Sequence, residues 1–200
     1  RSEYSFLMRF SSASGWPIGV LAGEDQPDSF VRPWLESAPI ILAADGGANR
    51  CLRLGIPPDI VVGDFDSASQ LALQFARRRE RIGSQDETDC DKLLALAPHE
   101  KLARIALFAA EEDRLDHTMA AIQSAARAEI PSRFVLRSGW AEVIKPGHWS
   151  EDVAVGTKVS VLPLSESVLS ASGLQWPFTQ AHMEAGGFTS ISNVAVEPQV

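Results

Sequence analysis

The sequence predicts an α/β domain with a Rossmann-like, mostly parallel sheet, followed by a small antiparallel β-sandwich domain. Between residues 17 and 138, short apolar runs alternate with helix-length segments, and acidic or glycine-rich turns follow several of these runs. From residue 139 to residue 200, glycine and proline interrupt the chain every several residues and leave no helical period. We therefore expect two domains, residues 17–138 and residues 139–200.

The first domain should begin with a strand and then alternate between helices and strands. Strands joined by helices need crossover connections, so the sheet should be mostly parallel and covered on both faces. The expected strands are Ile18–Ala22, Ile40–Ala44, Ile60–Val62, Arg104–Phe108 and Arg133–Leu136. The expected helices are Pro27–Ser37, Gly47–Leu54, Ser67–Arg79, Thr88–Leu96 and Asp116–Glu129. In the second domain the β-prone runs are Lys158–Leu162 and Ser167–Ala171.

Charge and composition exclude several classes of function. The net charge of -8 argues against a nucleic-acid partner, because proteins bind phosphate backbones with clustered Lys and Arg. The one basic run, residues 77–81, is interpreted as a helix end, where cations complement the helix dipole. No apolar stretch reaches the roughly 20 residues that span a membrane. Cys51 and Cys90 lack metal-ligand spacing and are interpreted as buried thiols of a cytoplasmic protein, and residues 1–16 are not interpreted as a signal peptide.

The turn Gly63-Asp64-Phe65-Asp66-Ser67 carries two acidic side chains at the end of an apolar run. In a strand, residues two apart share a face, which would place Asp64 and Asp66 together and Phe65 in the core. Two carboxylates held that close repel each other unless a cation lies between them, and a hard divalent metal is the best match. A capping turn would need only one Asp. Ser67 is the expected N-cap of the next helix.

A second acidic turn, at residues 43–49, follows the expected strand Ile40–Ala44. Asp45 would stand at the sheet edge, and Gly46 and Gly47 would let the backbone turn tightly and approach a ligand. The alternative is a plain strand-to-helix turn in which Asp45 serves as the cap.

Two further acidic segments each open an expected helix. In the first, Thr88 or Asp86 can cap the helix, and Asp89 and Lys92 can share one helical face. In the second, Arg114 and Asp116 can form a surface ion pair worth about 0 to 1 kcal/mol. His117 beside them is either a site residue or an ordinary helix-start imidazole.

In this order and at these intervals, the motifs resemble those of the thiamin pyrophosphokinase family. The family segments ADGGAN, GDFDS, D-x-T-D, R-x-D-H and S-x-SN correspond to residues 44–49, 63–67, 86–89, 114–117 and 190–193. Residues 173–177 also look like the family's GL-x-W/Y segment, and the resemblance runs from about residue 18 to residue 195.

The resemblance implies an enzyme that transfers pyrophosphate from ATP to thiamin with Mg²⁺, giving thiamin diphosphate and AMP. It also implies a homodimer whose active sites lie between subunits, with ATP and metal on the α/β domain and thiamin binding and dimerisation on the β domain. By resemblance, Asp64, Asp66 and Asp89 would hold metal. Asp45 and Asp116 would complete the acidic ring, one of them near the thiamin hydroxyl.

The same resemblance assigns contacts to ATP or to thiamin. In the first domain these are Asn49, Gln85, Thr88, Lys92, Arg114 and His117. The second domain of the neighbouring subunit would contribute Trp176, Ser190, Ser192 and Asn193.

The chain departs from the family pattern just before Arg114. The family carries a turn of the form G-x-x-G-x-R-x-D-H, whose bare backbone can cradle phosphates. Here residues 108–114 read Phe-Ala-Ala-Glu-Glu-Asp-Arg, with no glycine and three acids. This difference favours an alternative, a non-catalytic thiamin- or nucleotide-binding regulatory homologue with a degenerate phosphate loop. A third interpretation, the DxD motif of a nucleotide-sugar transferase, leaves Asp45, Asp89 and Asp116 without roles.

Overall fold

The computed structural model describes residues 15–110 and 114–200 and divides into two compact units, Arg1–Ile144 and Lys145–Val200. The expectation that residues 1–16 are not a signal peptide falls almost entirely outside the described residues, which include only 15 and 16 of this segment. None of the helices in the described part of the chain is long and apolar enough to cross a membrane.

The first unit is built on a seven-stranded sheet with the order β4-β3-β2-β1-β5-β6-β7. Neighbouring strands are parallel except for β6 and β7, which are antiparallel. The strands are β1 (Ile18–Val20), β2 (Ile41–Ala44), β3 (Ile60–Gly63), β4 (Arg78–Arg81), β5 (Ile105–Phe108), β6 (Ser132–Leu136) and β7 (Gly139–Glu142). The helices are α1 (Asp28–Ser37), α2 (Gly47–Leu54), α3 (Gln70–Phe75), α4 (Asp89–His99) and α5 (Leu115–Arg127).

Both faces of the central strands are buried, as the continuous apolar runs predict. Alternate residues of β3 show this, since Val61 packs in the layer beneath α1 and α2 while Ile60 and Val62 pack in the layer beneath α4. The expected mostly parallel sheet with helices on both faces is confirmed. This topology brings the carboxyl ends of β2, β3 and β5 to one edge of the sheet, the edge at which open α/β sheets bind ligands.

The segment after β3 differs from the prediction. Instead of one helix over Ser67–Arg79, the chain forms the short helix α3 and then the strand β4, which pairs with β3 along its whole length. The basic run is therefore an edge strand and not a helix end. Hydrogen bonds to β3 outweigh the helix propensity of arginine, and the charged side chains keep this edge from pairing with another chain.

The sheet also extends beyond the expected domain boundary at residues 138 and 139, because β7 folds back on β6 through a tight turn. The two units divide between Ile144 and Lys145.

The second unit contains two antiparallel pairs of strands and no helix in residues 145–200. β8 (Lys158–Val161) pairs with β11 (Ser190–Val194), and β9 (Ser167–Ala171) pairs with β10 (Phe178–Met183). The last residues return along the unit, since Glu151 and Val200 exchange two main-chain hydrogen bonds. The small antiparallel β architecture after the α/β unit is confirmed.

Candidate active site

Three acidic side chains meet at the carboxyl edge of the parallel sheet. Asp45 follows β2, and Asp64 and Asp66 lie in the loop after β3. Their nearest carboxylate oxygens all lie within 4.8 Å of one another. Because Mg²⁺ binds oxygens at about 2.1 Å, two ligand oxygens on opposite sides of the ion are about 4.2 Å apart. The three carboxylates are donors of the kind that a hard divalent cation prefers, and an ion bound among them would draw their oxygens to within about 4.2 Å of one another.

Asp45 also shapes the loop that carries the other two acids. Its Oδ2 accepts a hydrogen bond from the Phe65 amide at 2.9 Å, and its Oδ1 accepts from the amides of Ser67 at 3.2 Å and Ala68 at 2.6 Å. Phe65 has a left-handed backbone conformation with φ 70°, which is costly for an aromatic residue. A fully buried carboxylate with three main-chain donors stabilises this conformation.

The acidic pair is thus held together by a turn and not by an extended strand. β3 ends at Gly63, so the expected strand geometry for Asp64 and Asp66 is wrong, although the two carboxylates do lie together and Phe65 does pack against the core. The cap of the next helix is also displaced. Ser69 accepts the capping hydrogen bond from Ala72, whereas the Ser67 hydroxyl donates to Asp66.

The glycines of the turn after β2 serve the protein's own packing. A Cβ on Gly47 would lie 2.2 Å from the carbonyl oxygen of Val20, so only glycine lets α2 start against β1. Glycine at this position is therefore required by packing, and the approach of its backbone to a ligand stays a prediction.

Asn49 braces the loop after β3 from α2. Its side-chain amide donates to the carbonyl of Ser67 at 2.9 Å and accepts from the amide of Ser69 at 2.9 Å. The sequence assigned Asn49 to substrate contact, and the structure gives its side chain a supporting position between the two acidic turns.

The start of α4 adds a carboxylate and an ammonium group. Thr88 caps the helix in a capping box with Asp91, as expected. Lys92 is buried and forms an ion pair with Asp89 at 3.4 Å, which confirms that the two share a face. The group of acids whose oxygens lie within 4.8 Å of one another contains Asp45, Asp64 and Asp66 but not Asp89, so the role of Asp89 as a metal ligand stays a prediction.

Electrostatics tie these groups together. Burial, followed by a hydrogen bond with Asp64, raises the pKa of Asp45 above its ordinary value. A hydrogen bond from Gln85, 2.8 Å from Oδ2, is the main cause that lowers the pKa of Asp64. Burial raises the pKa of Asp89, and the negative charges of Asp64 and Asp66 contribute, while Lys92 opposes the shift. A cluster with this much unbalanced negative charge would be stabilised by a bound cation.

Three expected site residues stand exposed at the beginning of α5. Arg114 and Asp116 form an ion pair, with 2.6 Å between Nη2 and Oδ2, and His117 follows in the same helical turn. The hydrogen bond from Arg114 lowers the pKa of Asp116.

The sequence interpretation missed two buried side chains, Gln26, which contacts the turn after β5, and Arg50, which holds the loop that carries Gln26. The side-chain Oε1 of Gln26 accepts a hydrogen bond from the amide of Ala109 at 2.9 Å. Arg50 in α2 donates to the carbonyls of Gln26 at 2.6 Å and Gly23 at 2.7 Å. Both side chains are 1% exposed. Arg50 directly follows the ADGGAN segment, which was the only sequence signal, whereas nothing local marks Gln26.

The expected thiamin contacts lie in the second unit, and three of the four, Trp176, Ser190 and Asn193, line an open cleft of about 280 Å³. Its lining includes Trp176, Phe178, Phe188, Ser190, Ile191 and Asn193. Asn193 is 2% exposed and exchanges two hydrogen bonds with the main chain of Trp176, so it shapes the cleft from beneath. Ser190 is buried and accepts from Asn193 at 3.2 Å. Ser192 is exposed, and its amide donates to the hydroxyl of Ser160.

Comparison with known proteins identifies the family. The family model described as the thiamin pyrophosphokinase catalytic domain matches residues 31–134, and the model of the vitamin B1 binding domain of the same enzymes matches residues 148–200. The chain belongs to the thiamin pyrophosphokinase family. The resemblance drawn from the motifs is confirmed, and the family is one of enzymes.

Individual relatives agree with this assignment. Thiamine pyrophosphokinase 2 of Arabidopsis thaliana is 25% identical to this chain over 96% of its length and 85% of the relative. The thiamin pyrophosphokinase structure from Candida albicans has a TM-score of 0.75 at 19% identity and covers 95% of this chain and 86% of its own. The Bacillus subtilis structure has a TM-score of 0.71 at 22% identity, covering 92% and 91%. At these identities the solved thiamin pyrophosphokinase structures demonstrate a shared fold.

Proposed function

We propose that this protein transfers the terminal pyrophosphoryl group of ATP to the hydroxyl of thiamin, giving thiamin diphosphate and AMP. The observation that carries the proposal is the cluster of Asp45, Asp64 and Asp66 at the carboxyl edge of the sheet in a chain of this family. Transfer of this kind asks a protein mainly to align the reactants and to neutralise charge, and carboxylates holding a cation suit both tasks.

In the proposed site, Asp64 and Asp66 would hold Mg²⁺, and Asp45 or Asp89 would complete the donors. Bound there, Mg²⁺ would neutralise phosphate charge and orient the triphosphate. Gln85 orients Asp64 by its hydrogen bond, and Asn49 and Thr88 support the loop after β3 and the start of α4. Lys92 offsets the charge of Asp89, and Arg114 and His117, exposed at the start of α5, would contact the phosphate groups.

The reaction forms a bond between the thiamin hydroxyl oxygen and the β-phosphorus of ATP. It breaks the bond from that phosphorus to the oxygen that bridges the α- and β-phosphates, so AMP leaves with that oxygen. The hydroxyl proton must pass to a base. The candidates are the two acids expected near the hydroxyl, Asp45, whose oxygens accept from main-chain amides, and Asp116, whose oxygens accept from Arg114.

Thiamin would bind at the cleft of the second unit. It is a cation with two aromatic rings, and Trp176, which is 59% exposed, offers an aromatic face of the kind that binds such cations. Ser190, Ser192 and Asn193 would position the substrate or the wall of this cleft. We retain the homodimer with active sites between subunits, and the cytoplasmic location, as parts of this proposal.

The deciding assay follows AMP and thiamin diphosphate made from ATP, Mg²⁺ and thiamin by the folded protein. We expect equal amounts of both products, loss of turnover with a chelator, and recovery when Mg²⁺ is restored. A folded dimer without turnover would contradict the proposal.

The absence of glycine from residues 108–114 favours one other candidate, a regulatory homologue that binds thiamin or thiamin diphosphate but not ATP. Tight binding of an ATP analogue with Mg²⁺ in calorimetry would exclude it.

A further inference from the structure

We propose that Gln26 is a positioning residue for ATP, because its buried side-chain amide fixes the turn after β5 that leads to Arg114. This inference rests on the proposed function, since it assigns Gln26 a part in the nucleotide half of that site.

The side chain of Gln26 connects the loop after β1 to the end of β5 and to β6. It follows β1 in the chain, accepts from the amide of Ala109 at the end of β5, and donates from Nε2 to the carbonyl of Val135 in β6 at 2.5 Å. An amide that is 1% exposed has no water to replace these partners. Removing it would leave a main-chain donor and a main-chain acceptor buried without their partner.

Ala109 is the residue that needs such a partner. Its φ of 58° lies in the left-handed region, which a residue with a Cβ adopts only at a cost in free energy. Glycine adopts it freely, and the family motif G-x-x-G-x-R places its first glycine at this position. In this chain the hydrogen bond between the Ala109 amide and Gln26 therefore stabilises a positive φ that a glycine would adopt without help.

Ala109 and Ala110 are anchored on their other side as well, and one of these hydrogen bonds comes from α5. The carbonyl of Ala109 accepts from the amide of Gly23 at 2.9 Å, and the carbonyl of Ala110 accepts from the hydroxyl of Thr118 in α5 at 3.0 Å. Arg50 holds the carbonyls of Gly23 and Gln26, which connects this anchor to the helix that starts at the acidic turn.

The test compares Gln26→Met with a double variant that also carries Ala109→Gly. Methionine keeps the length and burial of the side chain but cannot bond to Ala109 or Val135. We expect the KM for ATP to rise about tenfold, as for a lost buried hydrogen bond, with kcat and the KM for thiamin changed less than about twofold. Because glycine needs no help to adopt a positive φ, Gln26→Met/Ala109→Gly should recover most of the ATP affinity.

The matched control is Gln26→Met/Ala110→Gly, which removes a methyl group from the adjacent buried residue and should not restore ATP affinity. Hydrogen exchange at the Ala109 amide gives a second readout without substrate, and it should be faster in Gln26→Met than in the wild type. If Gln26→Met does not fold, Gln26→Asn, which keeps an amide but shortens its reach, takes its place.

Three outcomes would overturn the inference. One is an unchanged KM for ATP in Gln26→Met. Another is a fall in kcat with equal rises in the KM for ATP and the KM for thiamin, none of which Ala109→Gly reverses, because that pattern would mean a purely structural role. In both, the wild type turns over, so the proposed function stands. The third is a folded wild type without turnover, which removes the proposed function and this inference together.

Discussion

The loop after β3 and the turn after β5 solve the same backbone problem with side chains of opposite character. Phe65 in the loop and Ala109 in the turn both have left-handed backbones, with φ 70° and 58°. The buried carboxylate of Asp45 stabilises the first, and the neutral amide of Gln26 stabilises the second. In the loop after β3, therefore, a change at Asp45 would alter both the backbone conformation and the charge of the acidic cluster. In the turn after β5, a change at Gln26 would alter the backbone conformation and leave the charge unchanged.

The largest effect is expected at Gly47, in the first turn of α2, because this helix carries side chains that support both the loop after β3 and the loop that holds Gln26. Gly47→Ala would place a Cβ 2.2 Å from the carbonyl oxygen of Val20 and force α2 away from β1. Since α2 carries Asn49 and Arg50, which support the loop after β3 and the loop that holds Gln26 respectively, both loops should loosen. We expect the free energy of unfolding to fall by more than about 3 kcal/mol in urea titrations.

Gly83→Ala is the control for this substitution, since a Cβ at Gly83 meets nothing within 4 Å. Its unfolding free energy should stay within about 1 kcal/mol of the wild type. Equal losses in the two variants would show that the close approach at Gly47 carries no special weight.

A charge change without a shape change is expected at Asp66. Asp66→Asn keeps an oxygen for the Ser67 hydroxyl but removes one negative charge from the cluster. We expect kcat to fall at least about a hundredfold while the unfolding free energy changes little, because a lost cation ligand affects transfer and not the core. Glu36→Gln, which removes one exposed charge from α1, should keep its rate. A near-normal rate in Asp66→Asn would contradict the metal assignment.

Prediction from the sequence succeeded where the signal is local. The apolar runs around Ile41–Ala44 and Ile60–Gly63 predicted central strands, and the acids that follow each run predicted the edge at which they meet. It failed at Arg78–Arg81, because an edge strand of four charged residues has neither a period-two apolar pattern nor β-branched side chains.

The supporting side chains were missed for a different reason. The Gln26 side chain meets Ala109 across 83 residues, and no local pattern records which loop a buried amide will reach. The structural roles of Asn49 and Asp45 were missed for the same reason. The sequence identified both by their ligand chemistry, whereas the structure shows that they also bond to main-chain groups of the loop after β3.

A moderate effect is expected from changing the side chain at Ala109 itself. Valine is β-branched and strongly disfavours a positive φ, so Ala109→Val should lower the unfolding free energy by about 2 kcal/mol. Ala109→Gly relieves the strain but loses a buried methyl group worth about 0.8 kcal/mol and adds flexibility to the unfolded chain, so it should remain within about 1 kcal/mol of the wild type. Equal losses in both variants would indicate that packing, and not backbone strain, governs this turn.

The smallest effect is expected at Asp28, whose carboxylate accepts from Arg53 at 2.7 Å and lies 3.6 Å from Arg50, the arginine that donates to the carbonyls of Gly23 and Gln26. The hydrogen bond from Arg53 is the main cause that lowers the pKa of Asp28 below its ordinary value. A carboxyl whose pKa is lower in the folded state stabilises the protein above the unfolded-state pKa near 4, and this stabilisation is lost as the pH falls through the folded-state value.

Because the side chain of Asp28 is 35% exposed and partly screened by water, Asp28→Asn should lower the free energy of unfolding by at most about 1 kcal/mol at pH 7. Urea titrations between about pH 3 and pH 7 should show the difference from the wild type shrinking toward acid, and a difference that grows toward acid would contradict this role for the ion pair.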